Sequence, residues 1–184
     1  PSFGFNGRYV ISDRHERRKR ELPERPRAYK LEDTSRYAES GFGKGVTFID
    51  FETTVSTSGD QIAIAPGYLQ KEWQENGRNY FHYKMDKPMI NFYSIVSARY
   101  EVMQDKWTSQ NGDAVDLEIY YHKGHEYNLD RMMEAMKASF DYFSTHFTPY
   151  QYQQMRIMEF PRYTAFAQSF PNTIPFAEGL GFML

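Results

Sequence analysis

Residues 129–147, which read LDRMMEAMKASFDYFSTHF, predict one long amphipathic helix. Apolar side chains recur along this stretch at steps of three and four residues, which places them on one face of a helix. The stripe consists of Met132, Met136, Phe140, Phe143 and Phe147. Asn128 precedes the stretch as an expected N-cap, and Pro149 follows it as a residue that ends helices. We expect the stripe to pack in the core; a groove for a partner is the alternative.

Strand-like segments lie on both sides of this helix. Before it, runs rich in β-branched and aromatic residues are separated by turn signals, and one run alternates apolar with polar side chains. These runs are 46–51, 61–65, 79–84, 89–103 (with a bend near Ser97) and 115–121, and the Asn-Gly pairs at 76–77 and 111–112 predict hairpin turns. After the helix, 155–160 predicts a strand, and the proline-containing stretch 161–184 is expected to be extended or looped. The pattern predicts an α+β fold of mainly antiparallel sheet.

The composition excludes several kinds of site. The 184 residues contain no cysteine, which rules out disulfides, thiolate metal ligands and cysteine nucleophiles within the chain. The net charge is −2 and the basic run at 13–27 is interleaved with acids, so we expect a solvated loop there and no nucleic-acid partner. A phosphate-binding patch is the alternative for that run. No apolar run approaches the roughly 20 residues of a membrane span, so no transmembrane segment is predicted in this chain.

The chain is rich in aromatic side chains, with 15 tyrosines and 15 phenylalanines. Aromatic residues favour half-buried pleated surfaces, so an aromatic β-core is the expected use. A surface that stacks on sugars or bases is the alternative. The length corresponds to one domain or to parts of two.

The sequence HKGHE at 122–126 looks at first like a metal-binding motif. A zinc-binding helix of the H-E-x-x-H type needs a second histidine four residues after the first, and Leu129 stands at that place after His125. His122 and His125 also flank a glycine turn, and no third ligand is evident nearby. We therefore expect a solvated turn and no metal ligand in this chain, with an adventitious metal site as the alternative. No catalytic residue is predicted, because phosphate-loop and serine-nucleophile motifs are absent as well.

The densest polar and aromatic stretch is 159–178, EFPRYTAFAQSFPNTIPFAE. It carries amides, hydroxyls and few charges, spaced by prolines that stiffen the backbone. A preset backbone with few mobile charges suits a binding wall. An ordinary rigid loop is the alternative.

The order of these features resembles the gluzincin aminopeptidases, the aminopeptidase N-like zinc peptidases. In that family a helix is followed by a short proline-containing turn, here FTPY at 147–150, then by a strand, here 155–160, and then by a Gly-x-Met-Glu-Asn segment that lines the substrate cleft, here AQSFPN at 167–172. PSFG at 1–4 resembles an upstream Pro-x-Phe-Asp stretch. The phrases QIAIAPGYL (61–69), RIMEFPRY (156–163) and QSFPNTIP (168–175) are similar to a bacterial branch fused to an ABC-transporter-type permease.

The resemblance implies a division of the chain into two parts. Residues 1–103 would form the C-terminal half of an N-terminal β-domain, part of a β-sandwich, and residues 104–184 the N-terminal part of a thermolysin-like catalytic domain with one long helix. The chain would be a middle piece of a longer protein, cut before the zinc motif. It would hold no cofactor itself, whereas the parent would bind zinc, hydrolyse peptides and lie at the bacterial inner membrane. Alone, the piece would be inert and would self-associate through its apolar faces.

The resemblance also implies four substrate-binding residues. Gln168, Ser169 and Asn172 would hydrogen-bond the substrate backbone, and Glu178 would bind an amine or orient a neighbour. Pro171 stands where the family has the cleft glutamate. Residues 168–178 are expected at the surface. Two other functions remain open: a non-catalytic peptide-binding or scaffolding module of a membrane transport system, and carbohydrate binding by an aromatic β-surface.

Overall fold

The computed structural model describes residues 13–25, 30, 32–36, 47–162 and 165–182. The chain divides into two compact units, Pro1–Lys44 and Gly45–Leu184. The stretch at 1–4 that contributes to the family resemblance lies outside the described residues.

In the first unit, the charged run forms a short helix, α1 (Arg14–Lys19), and a 3-10 turn follows at Thr34–Arg36. The Asp13 side chain caps α1, since its Oδ1 accepts a hydrogen bond from the backbone N–H of Glu16 at 3.0 Å. No residue of α1 is buried. The expectation of a solvated segment is confirmed for the described part of 13–27, but the expectation of a loop is wrong for Arg14–Lys19, where the chain forms a helix capped by Asp13.

The described part of the second unit contains eleven strands and two helices. The strands are β1 (Phe48–Ile49), β2 (Glu52–Ser58), β3 (Ile62–Ile64), β4 (Tyr68–Glu75), β5 (Arg78–Lys84), β6 (Met89–Ile90), β7 (Val96–Ala98), β8 (Tyr100–Thr108), β9 (Ala114–His122), β10 (Gln154–Phe160) and β11 (Thr173–Ala177). The helices are α2 (Leu129–His146) and α3 (Glu178–Gly181). The strands form four sheets, β1-β6, β2-β5-β4, β3-β7 and β11-β10-β9-β8. Only β9-β10 and β10-β11 are parallel, so the predicted α+β class with mainly antiparallel pairing is confirmed.

Both predicted hairpin turns are confirmed. β4 and β5 pair up to Glu75 and Arg78 around Asn76-Gly77, both of which have positive φ. β8 and β9 pair around the turn that contains Gly112, whose φ is 89°. Asparagine and glycine reach this left-handed region at low cost, which is why they mark tight hairpin turns.

The predicted strand at 89–103 is divided among three strands, β6, β7 and β8. β7 pairs with β3, whereas β8 pairs with β9, so the chain changes sheets at Arg99. The predicted bend near Ser97 corresponds to this change. A single continuous strand is excluded because the two partner strands belong to different sheets.

Helix α2 crosses over between the parallel strands β9 and β10. Its bounds confirm the predicted helix to within one residue. β11 then adds to the sheet in parallel beside β10, with Ile157 opposite Ile174. No strand was predicted in this tail, because it contains Pro175. The strand β11 lies at the edge of the sheet, where a proline is tolerated because no neighbouring strand needs its missing N–H.

The buried face of α2 is Met133, Met136 and Phe140, which pack on Trp107 and the inward side chains of β9. The predicted burial is confirmed for Met136 and Phe140, but Phe143 and Phe147 are 56% and 72% exposed. The face that contacts the sheet is rotated toward Met133, so Met132 and Phe143 fall at its edge. Phe147 follows the last residue of the helix.

A further expectation concerns the N-cap of α2. Asn128 precedes α2, but its φ is 61° and its side chain makes no capping bond; its Nδ2 donates instead to the carbonyl oxygen of Gly181 at 3.0 Å.

The predicted domain boundary between residues 103 and 104 falls inside β8. The division into 1–103 and 104–184 stays a prediction.

Candidate functional site

The predicted cleft segment, residues 168–178, contains a tight turn before β11. The backbone N–H groups of Phe170 and Thr173 donate to each other's carbonyl oxygens at 2.8 and 3.2 Å. Pro171 and Asn172 (φ 47°) occupy the two central positions. Proline followed by a residue with positive φ is the arrangement of a type II turn, so the Pro-Asn pair accounts for the turn.

The turn buries Asn172, which is 1% exposed. Its Oδ1 accepts hydrogen bonds from the backbone N–H of Gly67 at 3.2 Å and from Nη2 of Arg156 at 3.1 Å, and its Nδ2 donates to the carbonyl oxygen of Gly67 at 3.3 Å. The expected surface position of Asn172 is therefore wrong. An amide whose oxygen and nitrogen both bond inside the protein does not present them to a substrate.

Arg156 on β10 is the centre of this buried connection. Its Nη2 also donates to the carbonyl oxygens of Ala65 and Gly67 at 2.8 and 2.6 Å, and the guanidinium lies 5.2 Å from the centre of the Tyr83 ring. Burial raises the pKa of Tyr83 to about 12. Arg156 thus ties the turn after β3 to β10 and β11, over sequence separations of about 90 residues.

The other three predicted substrate-binding residues are less buried than Asn172. Ser169 is exposed and Gln168 half-buried, and the Nε2 of Gln168 donates to the carbonyl oxygen of Ser169 at 3.1 Å. Glu178 is half-buried at the start of α3, where its Oε1 accepts a hydrogen bond from the backbone N–H of Arg162 at 3.0 Å. Of the segment 168–178, the part from 171 to 177 is largely buried, so the expected exposure is wrong for that part.

A second cluster forms where β9 ends beside β10. His122 is the last residue of β9, and Gly124, with a φ of 93°, turns the chain so that His125 follows close behind. Glu159 lies on the adjacent β10. Its Oε2 lies 2.9 Å from Nδ1 of His122, and its Oε1 lies 2.7 Å from Nδ1 of His125. We call His122, His125 and Glu159 the His–His–Glu cluster.

The carboxylate of this cluster is buried and, among the described residues, pairs with no arginine or lysine. The Glu159 side chain is 3% exposed, whereas the two histidines are partly exposed. Within the described part of the chain, the Glu159 carboxylate is hydrogen-bonded by the two imidazoles and by the backbone N–H of His122, which donates to Oε2 at 2.9 Å. Aromatic rings flank the cluster: the Tyr100 ring is 5.3 Å from that of His122, and the Phe182 ring is 5.0 Å from that of His125.

Sequence inspection finds the two histidines but misses Glu159. The expected solvated turn had no third ligand, and the structure supplies one from 34 residues further along the chain. The missing signal was the parallel register of β9 and β10, which places Met158 opposite Tyr120 and so carries Glu159 to the level of the turn.

A groove of about 730 Å³ lies along the exposed edge of α2. Its lining is mainly apolar and includes Met132, Phe143, Phe147, Met155 and Ile174. Met132 and the two phenylalanines belong to the stripe that was expected in the core. The stripe on α2 is therefore divided between core packing and the wall of this groove.

Comparison with known proteins gives matches among solved structures only: no family model and no curated protein matches the chain. Legionella pneumophila aminopeptidase A, solved with aspartic acid, has a TM-score of 0.65 and 15% identity, over 70% of this chain and 16% of that one. An M1 zinc metallopeptidase from Deinococcus radiodurans has a TM-score of 0.58 and 12% identity, over 71% and 30%. A mutant of a two-domain M1 zinc metallopeptidase bound to L-arginine has a TM-score of 0.59 and 13% identity, over 72% and 31%.

These matches concern a small part of each neighbour, since this chain spans 16% to 31% of their lengths. Identities of 12% to 15% are too low to carry over residue roles. The chain therefore shares its fold with one part of the M1 zinc metallopeptidases.

Proposed function

We propose that this chain is part of a gluzincin aminopeptidase, in which it supplies the β-domain portion 1–103 and the beginning of the catalytic domain, 104–184. The observation that carries the proposal is the fold likeness to three peptidase structures over about 70% of the chain. The structure also has a long helix, α2, followed by the strand β10 and then by the QSFPN segment. This is the order of elements on which the resemblance in the sequence rests.

The proposal gives the chain a structural and substrate-binding role. The family's zinc activates a water molecule for peptide hydrolysis, but this chain does not supply the family's hydrolytic site, because no H-E-x-x-H pattern occurs among the 184 residues. No step of hydrolysis is assigned to it. Gln168 and Ser169 are the candidates for contact with a peptide backbone, and Glu178 is the candidate for an amine. Asn172 and Arg156 hold this wall in place from inside.

The finer part of the proposal places the parent in the bacterial branch fused to an ABC-transporter-type permease, at the inner membrane. Support comes from the phrases QIAIAPGYL and RIMEFPRY. Among the described residues, no helix is both long and apolar enough to cross a membrane.

The test is to express the complete reading frame that contains this chain and to measure release of amino acids from short peptides. We expect hydrolysis by the parent, its loss after treatment with a chelator and its recovery with zinc, and no hydrolysis by the 184-residue chain. A parent that binds peptides but does not cleave them at full zinc occupancy would contradict the peptidase proposal. That result would favour the non-catalytic peptide-binding module.

A further inference from the structure

The His–His–Glu cluster combines three features of a metal site. The three potential ligand atoms lie within 4.8 Å of one another. They come from two elements held in fixed register, the end of β9 with its glycine turn and the parallel strand β10. The two histidines are partly exposed, which leaves an entry path for an ion, whereas the Glu159 side chain is 3% exposed.

Charge favours a cation at this place. A buried carboxylate loses its hydration and needs a compensating charge or several hydrogen bonds. Within the described residues, the Glu159 carboxylate is hydrogen-bonded by two imidazoles and one backbone N–H. A divalent ion between the three side chains would supply the missing positive charge.

The ligand chemistry limits the kind of ion. Two imidazole nitrogens and one carboxylate oxygen suit borderline transition metals such as Zn²⁺ and Co²⁺, whereas Mg²⁺ and Ca²⁺ prefer sites made of oxygen. We propose that His122, His125 and Glu159 bind one divalent transition-metal ion of the zinc class. Both histidines are partly exposed, so solvent reaches two of the three ligands.

In the structure, the Glu159 carboxylate is hydrogen-bonded to both imidazoles. Bonds of about 2.0–2.2 Å to a tetrahedral ion separate the ligand atoms by about 3.4 Å. The two imidazoles are hydrogen-bonded to different oxygens of Glu159, at 2.9 and 2.7 Å, so the rings and the carboxylate have to shift before one ion lies between the three side chains. Metal binding replaces two N–H···O hydrogen bonds, and the proton of each neutral ring then resides on Nε2. The partial exposure of both histidines leaves room for this movement.

The proposed metal site uses three side chains of this chain. It lies where the turn after β9, β10 and Phe182 meet. A bound ion would therefore link the turn before α2, through His125, to β10, which follows α2.

The experiment uses the 184-residue chain, stripped of metal with a chelator and titrated with Zn²⁺ by calorimetry and with Co²⁺ by visible absorption. We expect one equivalent to bind, with a Co²⁺ spectrum of low coordination number and a rise in melting temperature on adding Zn²⁺. Glu159→Gln and His125→Ala should each weaken binding at least tenfold and remove the rise in melting temperature.

The matched control is His82→Ala. His82 also contacts a carboxylate, with its Nε2 2.8 Å from Oε1 of Glu52, but this pair belongs to no cluster of three ligands among the described residues. This variant should bind the metal as the unaltered chain does. His125→Ala, at a partly exposed turn residue, keeps the test valid if Glu159→Gln does not fold. The absence of stoichiometric binding by the folded, unaltered chain would overturn the proposal, as would equal affinity in His125→Ala.

Discussion

Asn172 shows how one residue changes its role between sequence and structure. The resemblance assigns it to a substrate, whereas the structure engages its amide with Gly67 and Arg156 in the interior. Its positive φ also favours asparagine over other side chains, because asparagine tolerates the left-handed region. The residue is therefore expected to matter for folding rather than for binding.

We predict that Asn172→Ala lowers the free energy of unfolding by about 1–3 kcal/mol, because it leaves the buried Gly67 N–H without its acceptor and removes one of the three acceptors of Arg156 Nη2. Urea denaturation of the chain measures this loss. Ser169→Ala, at an exposed position of the same loop, is the control and should change stability by less than about 0.5 kcal/mol. Equal stabilities of the two variants would show that the buried bonds do not contribute.

Tyr83 makes stability depend on alkaline pH. Burial raises its pKa from 10.0 to about 12, and its hydroxyl donates to the carbonyl oxygen of Ala63 at 2.9 Å. The folded state thus favours the neutral phenol, so this contribution is complete below the unfolded-state pKa and is lost as pH rises through the folded-state pKa. The full contribution is about 2–3 kcal/mol.

We therefore predict that unfolding free energy falls between about pH 10 and pH 12, and that Tyr83→Phe makes this fall shallower. Denaturant titrations of both proteins across that range measure the difference. Tyr83→Phe should be less stable near neutral pH by about 1 kcal/mol, since the Ala63 carbonyl loses its donor. Parallel pH dependences of the two proteins would contradict the assignment to Tyr83.

At the scale of elements, the turn between β3 and β4 depends on a close backbone approach. Gly67 has a φ of 92°, and a Cβ at this position would lie 2.6 Å from the carbonyl carbon of Lys84. Gly112, in the turn between β8 and β9, has a φ of 89° but no atom within 4 Å of such a Cβ. A side chain at Gly112 would meet backbone strain alone, whereas a side chain at Gly67 would meet backbone strain and steric overlap.

Gly112→Ala should cost about 1 kcal/mol of stability, from the positive φ alone. Gly67→Ala should cost a further 1–3 kcal/mol or more, roughly the usual penalty for forcing atoms into packed space. Thermal or chemical denaturation of both variants provides the comparison. Similar losses of stability in the two variants would mean that the backbone near Lys84 moves away from the added Cβ at little cost.

Helix α2 contains both a core residue and a groove residue of the same type. Phe140 is buried, with its ring 5.1 Å from that of Trp107, whereas Phe143 is 56% exposed. Phe140→Ala should therefore cost about 3–5 kcal/mol through lost burial and the cavity left behind. Phe143→Ala should cost no more than about 0.5 kcal/mol. Chemical denaturation tests the pair, and a loss below about 1 kcal/mol for Phe140→Ala would contradict its packing against the sheet.

At the scale of the whole molecule, the apolar groove along α2 is expected to drive association of the isolated chain. Tyr142, Phe143 and Phe147 are all more than half exposed, and contiguous exposed apolar surface commonly marks an interaction site. We predict a mass that rises with concentration in light scattering after gel filtration. The double variant Phe143→Ser, Phe147→Ser should shift the chain toward monomer, with Leu69→Ser, on an exposed strand residue, as the control. A monomer at all concentrations would contradict the prediction.

The sequence by itself determined the features that depend on neighbouring residues. The helix at 129–147, the Asn-Gly hairpins and the α+β class follow from side-chain periodicity and turn chemistry, which act over a few residues. Only the tertiary structure decided which distant residues meet: Arg156 and Asn172 with Gly67, and Glu159 with the histidines at the end of β9. These contacts depend on the register of parallel strands across the α2 crossover and on the order of sheets, and no local pattern encodes either. The exposure of Phe143 was decided in the same way, because the rotation of a helix on its sheet depends on how the opposing side chains pack.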